Sequence, residues 1–163
     1  MKLFFQIVGF PLRLVLGLVV VFAYAFIAIF DPNTAKEIPA TLHWVITADA
    51  EWERQINPDP VLLFRYSALT YNSHRIHYDQ IYATRQEFYP GVVVQGPLLA
   101  TLLLELCQAR LPDGAIRTFQ FRAVRPTYLE QMVRLSGKQS GKEIALWSAQ
   151  QGSLCMTATA TLA

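Results

Sequence analysis

Apolar residues are distributed along this chain in three different ways. Residues 1–30, MKLFFQIVGFPLRLVLGLVVVFAYAFIAIF, carry charge only at Lys2 and Arg13, and residues 14–30 carry none. That run approaches the roughly 20 apolar residues that cross a bilayer, and it reaches that length if Arg13 snorkels to the interface. A transmembrane helix is the first reading. A secretory signal is the second, with Lys2 as its n-region and Ala23-Tyr24-Ala25 as its cleavage site, although the apolar run continues through Phe30. A buried helix is the third, since a segment apolar on every face needs protein on all sides. The two positive charges ahead of the run would hold the N-terminus in the cytoplasm and push the remainder outward, a bias that Lys36 beyond it weakens. Residues 31–57 mix turn residues with prolines and read as a connector, with a short strand over 44–47.

From residue 58 onward the pattern is that of one domain, 58–163. VLLFRY, residues 61–66, is a short apolar run behind the break Asn57-Pro58-Asp59-Pro60 and reads as a strand. Tyr78, Ile81, Tyr82, Ala83 and Phe88 are spaced for a short amphipathic helix that Tyr89-Pro90-Gly91 would end. Pro97 suits the first turn of a longer helix with Leu98, Leu102, Leu106 and Ala109 on one face. Leu99, Leu103 and Leu104 make that helix apolar nearly all round, which calls for a central position. It should end near Pro112-Asp113-Gly114. After it, residues 116–124, 129–139, 143–150 and 153–162 alternate or carry strand formers, and the short breaks at Ser140-Gly141 and Gln151-Gly152 favour antiparallel hairpins. The expected class is α+β: an antiparallel sheet packed on one long helix.

Composition narrows this picture a little. A length of 163 residues, 53% of them apolar, suits one core rather than two. Fourteen basic and 12 acidic side chains leave a formal charge of +2, too little field for nucleic-acid binding. Cys107 and Cys155 lie in apolar runs without metal-type spacing and read as core residues. A disulfide between them would need an oxidising compartment and Cα atoms within about 7 Å.

The candidate chemistry sits in TYNSHRIHYDQIYA, residues 70–83, which holds His74 and His77, two of the three histidines. On a helix their spacing would place both imidazoles on one face. No third ligand is evident, because His43 is remote and Asp79 would need loop geometry, so no metal is expected. One reading is a polar loop in which Asn72 or Ser73 caps the following helix. The other is a base titrating near neutral pH.

The stretch resembles the hydratase-2 motif of the MaoC-like dehydratases. In that motif a Gly-Asp pair is followed by any residue, Asn, Pro, an aliphatic, the catalytic His, five residues, and Ala or Ser. Ile76, His77 and the spacing to Ala83 match; Tyr71, Asn72, His74 and Arg75 stand where the family has Gly, Asp, Asn and Pro. The wording FRYSALTYNSHRIHYDQIYA, continuing through YPGVVVQGPLLATLLLEL, looks like the branch of mesaconyl-CoA hydratases and type 2 3-hydroxyacyl-thioester dehydratases, in which asparagine takes the Asp position. The likeness runs from about Pro58 to the C-terminus.

This resemblance implies a single hotdog domain and hydration of 2-enoyl, or dehydration of 3-hydroxyacyl, thioesters of CoA or acyl carrier protein, without a cofactor. It implies His77 as acid and base, Asn72 as the group orienting water or imidazole, and Gly96 at the helix N-terminus where the thioester approaches. His74 would line the pocket. Arg75, ahead of Arg85, Arg122 and Arg125, would meet a carrier phosphate or substrate carboxylate. Relatives of this kind carry two such units in one chain, so a lone unit is expected to form a homodimer, anchored by residues 1–30. The domain is expected in the cytoplasm, where a CoA substrate is met, against the charge bias of the N-terminus. The competing expectation is a membrane-anchored hotdog protein that holds an acyl chain or a partner without turnover.

Overall fold

The computed structural model describes residues 50–112 and 115–163. The expected transmembrane helix over residues 1–30, most of the expected connector and the strand expected over 44–47 lie outside the described residues. Among the described residues no helix is long and apolar enough to cross a membrane.

Five strands form one antiparallel sheet: β1 (Trp52–Ile56), β2 (Ile116–Ala123), β3 (Val133–Ser140), β4 (Glu143–Gln150) and β5 (Ser153–Leu162), in the order β1-β3-β4-β5-β2. The last three follow one another through two tight turns. The β4–β5 turn places both Gln151 (φ 51°) and Gly152 (φ 75°) in the left-handed region, as a primed hairpin turn requires. β1 falls inside the stretch read as connector, so the sheet begins before residue 58. Its pattern of exposed and half-buried positions belongs to an edge strand and carries little sequence signal.

Three α-helices accompany the sheet: α1 (Pro60–Leu69), α2 (Gln80–Arg85) and α3 (Gly96–Gln108). α3 is the central helix and packs on every strand. Leu98, Leu99, Ala100, Leu103, Leu106 and Cys107 are buried on it, so the seam runs through Leu99 and Leu103 more than through Leu102, and Ala109 lies beyond its end, exposed. Glu105, on its solvent side, meets Arg54 of β1 at 3.0 Å. Cys107 and Cys155 are both buried and unpaired.

The expected strand over residues 61–66 is instead the body of α1. Asp59 is its N-cap, its carboxylate accepting from the Leu62 N–H at 2.7 Å, and Pro60 takes the first turn, where a missing N–H costs nothing. A short apolar run is ambiguous between helix and strand by periodicity alone. Here the cap decides.

Candidate active site

The histidine loop is built from the end of α1. Two bonds close that helix: the Asn72 N–H donates to the Ser67 carbonyl at 2.9 Å and the Tyr71 N–H to Ala68 at 3.4 Å, a Schellman pair. Tyr71, between them, has φ 53° and is 95% exposed. The position where the related motif has glycine is therefore the left-handed C′ residue of this helix, which explains the glycine there and shows that tyrosine can also occupy it. Asn72 then accepts from the His74 N–H on its Oδ1 at 3.1 Å, an Asx turn that leads into a single 3₁₀ turn, Arg75–His77.

The remaining motif positions seat that turn. Ile76 and Ala83 are buried together with Val93, and Tyr82, Tyr89 and Tyr128 pack against the three. The small residue six places after His77 is required by this contact. Asp79 caps α2, accepting from Tyr82 N–H at 2.9 Å, and takes the Arg75 Nη2 at 2.7 Å on its other oxygen. The cap and the Arg75 guanidinium hold its carboxyl below the usual carboxylate range. The Arg75 guanidinium also lies 4.5 Å from the centre of the Tyr82 ring.

His77 faces a different environment. It is 9% exposed, and its Nδ1 lies 2.8 Å from the Val93 carbonyl oxygen. A carbonyl can only accept, so Nδ1 carries the proton and Nε2 keeps its lone pair. Burial pushes the imidazole below its usual range, the Val93 bond pulls it partly back, and nearby His74 lowers it further. Near neutral pH the ring is thus an uncharged base held in one tautomer. It lines a cavity of about 290 Å³. The walls are Val93 and Val94 ahead of α3, Gly96 and Leu99 on α3, residues 123–127 at and beyond the end of β2, and Cys155 and Met156 on β5.

The structure therefore brings His77 and Gly96 to one cavity and leaves Asn72, His74 and Arg75 outside its lining. Asn72 is turned into the backbone of its own loop. His74 is exposed, its ring centre 5.7 Å from that of His77 and its Nε2 3.9 Å from Glu87 Oε1. Arg75 is tied to Asp79 and Tyr82; the arginine that lines the cavity is Arg125, which is exposed. A Cβ on Gly96 would meet Met156 Cε at 3.8 Å, ordinary contact, so glycine there keeps the cavity open rather than averting a clash. Gln95 starts α3 without capping it: its Nε2 donates to the Leu63 carbonyl at 2.8 Å and to Ser67 Oγ at 3.0 Å, and its Oε1 accepts from no group among the described residues. The first-turn N–H groups next to Gly96 thus have no side-chain cap from Gln95. Among the described residues no three metal-ligating side chains converge. Arg125-Pro126-Thr127 reads in sequence only as a break between strands, and the Val93 carbonyl leaves no mark in a sequence at all; these are the parts of the site the pattern hides.

Comparison with known proteins agrees with this layout. The family model described as hydroxyacyl-thioester dehydratase type 2 matches residues 26–129. The chain is 44% identical over 130 residues to mesaconyl-C(4)-CoA hydratase of Chloroflexus aurantiacus, an alignment covering 79% of this chain and 44% of that protein. It is 37% identical over 112 residues to the mitochondrial hydroxyacyl-thioester dehydratase type 2 of Schizosaccharomyces pombe, covering 68% of this chain and 36% of that protein. It thus spans less than half the length of either curated relative. In structure it is similar to an (R)-hydratase from A. caviae involved in PHA biosynthesis, with TM-score 0.59 and 19% identity over 71% of this chain and 96% of that one. That likeness establishes the hotdog fold.

Proposed function

Because this chain belongs to the hydroxyacyl-thioester dehydratase type 2 family, we propose that it adds water to a 2-enoyl thioester, or removes it from a 3-hydroxyacyl thioester, with His77 transferring the proton. The observation that carries the reading is the bond from His77 Nδ1 to the Val93 carbonyl at 2.8 Å, which fixes Nε2 as a free base at an otherwise mainly apolar cavity. In the hydration direction Nε2 takes a proton from water as its oxygen bonds to C3. The π pair moves towards C2 and the thioester oxygen gains charge, which the uncapped N-terminus of α3 beside Gly96 can stabilise. The imidazolium then returns a proton to C2. No redox step is involved, and none of these steps calls on a cofactor.

The named relatives supply the substrate class: a CoA or carrier-bound thioester, with a short dicarboxylic acyl group as one member to try. The test is hydration of crotonyl-CoA and mesaconyl-CoA by the full chain, followed as loss of enoyl-thioester absorbance. His77→Ala should reduce turnover by at least about 100-fold in a protein that still folds. Unchanged turnover would remove His77 from the chemistry.

One observation favours a second reading, an acyl-binding domain without turnover: among the described residues no carboxylate lines the cavity. Binding of an enoyl-CoA by the wild-type chain with no hydration would select it. Residues 1–30 would serve as a membrane anchor in either case, with the hotdog domain on the cytoplasmic side where CoA thioesters are met. Protease protection in sealed vesicles distinguishes the two sides.

A further inference from the structure

We propose that Arg125 selects the substrate: its guanidinium receives a carboxylate on the acyl group, so that the site favours thioesters of short dicarboxylic acids. The proposal rests on the hydratase reading and adds the acyl class to it. Among the described residues that line the cavity, Arg125 is the one with a charged side chain. The rest of the wall is apolar apart from His77, the buried Thr127 and the Cys155 thiol, which donates to the Ser153 carbonyl at 3.5 Å. No carboxylate in that wall offsets the charge, and among the described residues no hydrogen bond or ion pair holds the guanidinium. Arg54, Arg75 and Arg134, by contrast, are paired with Glu105, Asp79 and Glu53. Arg125 is exposed, so water hydrates its head group while the site is empty and the uncompensated charge is tolerated. A free guanidinium beside an apolar cavity suits an anion on the molecule that enters it.

The backbone under Arg125 is fixed while its head group is free. The Val124 and Arg125 N–H groups both donate to the Cys155 carbonyl, at 2.8 and 3.1 Å, and further along the Thr127 carbonyl accepts from Val94 N–H at 2.8 Å. Pro126 restricts the residue before it to extended backbone. Residues 123–127 all line the cavity, so Arg125 stands in the middle of a wall segment. Val94 follows Val93, whose carbonyl orients His77, so one short stretch sets the base and this wall relative to each other. Size decides which anion fits. At about 290 Å³ the cavity lies at the lower end of small-molecule pockets, roughly 300–1,000 Å³, which is room for a short acyl group and not for a carrier. The carrier's phosphates are separated from the thioester by the whole pantetheine arm, whereas a carboxylate on a short acyl group stays in the cavity with C3. The planar guanidinium can donate two parallel N–H bonds to it. As the acyl group displaces water from the apolar wall, the pair strengthens in the lower dielectric.

The test compares crotonyl-CoA with mesaconyl-CoA in the full chain, since both have the same carrier and only the second has an acyl carboxylate. A carboxylate bound alike in ground and transition state acts on KM. Arg125→Gln should therefore lower the mesaconyl-to-crotonyl ratio of kcat/KM by at least about 10-fold, with the loss in KM for mesaconyl-CoA. Arg125→Lys, which keeps the charge and loses the fork, should fall between the two. An unchanged ratio overturns the proposal: equal losses would mean that the guanidinium serves the carrier's phosphates or the fold, and no loss that it serves neither. Should the glutamine variant fail to fold, the ratio in Arg125→Lys decides in the same way. A wild-type chain that hydrates crotonyl-CoA and not mesaconyl-CoA also overturns the proposal and leaves the hydratase reading standing. A wild-type chain that hydrates neither rejects the hydratase reading. Calorimetric Kd values for the same two thioesters, in wild type and Arg125→Gln, then decide the anion site by the same ratio, and failure to bind mesaconyl-CoA rejects it.

Discussion

His77 is the residue whose environment makes the most definite statement about pH. Its imidazole is pushed down by burial, so the folded chain binds the proton less readily than the unfolded chain does. For a base acting in its neutral form, kcat/KM should hold constant as pH falls past the ordinary histidine value of about 6.5 and decline only below it. A pH profile whose acid limb has its midpoint at or above that value would contradict the buried tautomer. Stability follows the same sign. The contribution of a neutral His77 is fully present above about pH 6.5 and drains away as pH falls from there to the lower folded value, because in that window the unfolded chain binds more protons. At this scale the sequence was a good guide to which histidine lies at the cavity and a poor one to the other side chains placed there. The motif spacing marks His77 because Ile76 and Ala83 must pack on Val93 to seat the turn. Asn72 and Arg75 carry the right chemical groups, but local backbone and the neighbouring Asp79 take those groups up first. The loop of residues 123–127, by contrast, is brought to the cavity wall by backbone pairing such as Val94 N–H to the Thr127 carbonyl, and a break such as Arg125-Pro126-Thr127 carries no pattern to read.

Elements were legible in proportion to how regular their environments are. β4 and β5 match the alternation of residues 143–150 and 153–162, because Ala158 and Ala160 are buried while the threonines between them stay half-exposed. α3 reads as central because it is apolar on nearly every side, and the sheet does surround it. α1 was hidden because the same six residues satisfy a strand template; Asp59 and Pro60 were the signal for a helix start. β1 was hidden because an edge strand has no apolar face to announce it. Register shows how β1 is nonetheless held. Trp52, Gly137 and Leu146 lie in one row across β1, β3 and β4, and a Cβ on Gly137 would come within 2.8 Å of Leu146 Cδ2 and 2.9 Å of Trp52 Cε3. Gly137 is therefore the gap over which the tryptophan ring and the leucine close. Gly137→Ala should destabilise the domain by about 1–3 kcal/mol and shift the tryptophan emission, both read from one urea titration. An unchanged midpoint would mean that the ring swings aside freely and that β1 is not pinned there.

At the scale of the molecule the starting point is that the chain spans less than half the length of the curated relatives it matches. Its sheet ends on β2, an edge strand with Phe119 and Phe121 half-buried at the rim, their rings 6.3 Å apart. α1 turns apolar residues outward as well: Val61, Phe64 at 61% exposure, and Leu69. Only Leu63, Tyr66 and Ser67 are buried on it, so its apolar content exceeds what this unit can cover. An open edge and an uncovered apolar helix together are liabilities that a second unit removes. A second copy, related by a two-fold axis, is the source of such a unit that can be tested directly. A stable pair needs roughly 1,200–2,000 Å² buried in total, which an edge strand and one helix face from each copy can supply. The full chain purified in detergent should therefore sediment as a dimer, and Phe64→Asp or a charged residue at Phe121 should shift it towards monomer. If hydration is lost along with the dimer while each monomer stays folded, the cavity depends on the partner. If wild-type chains are monomeric and fully active, the single unit is self-sufficient and the exposed faces require another explanation.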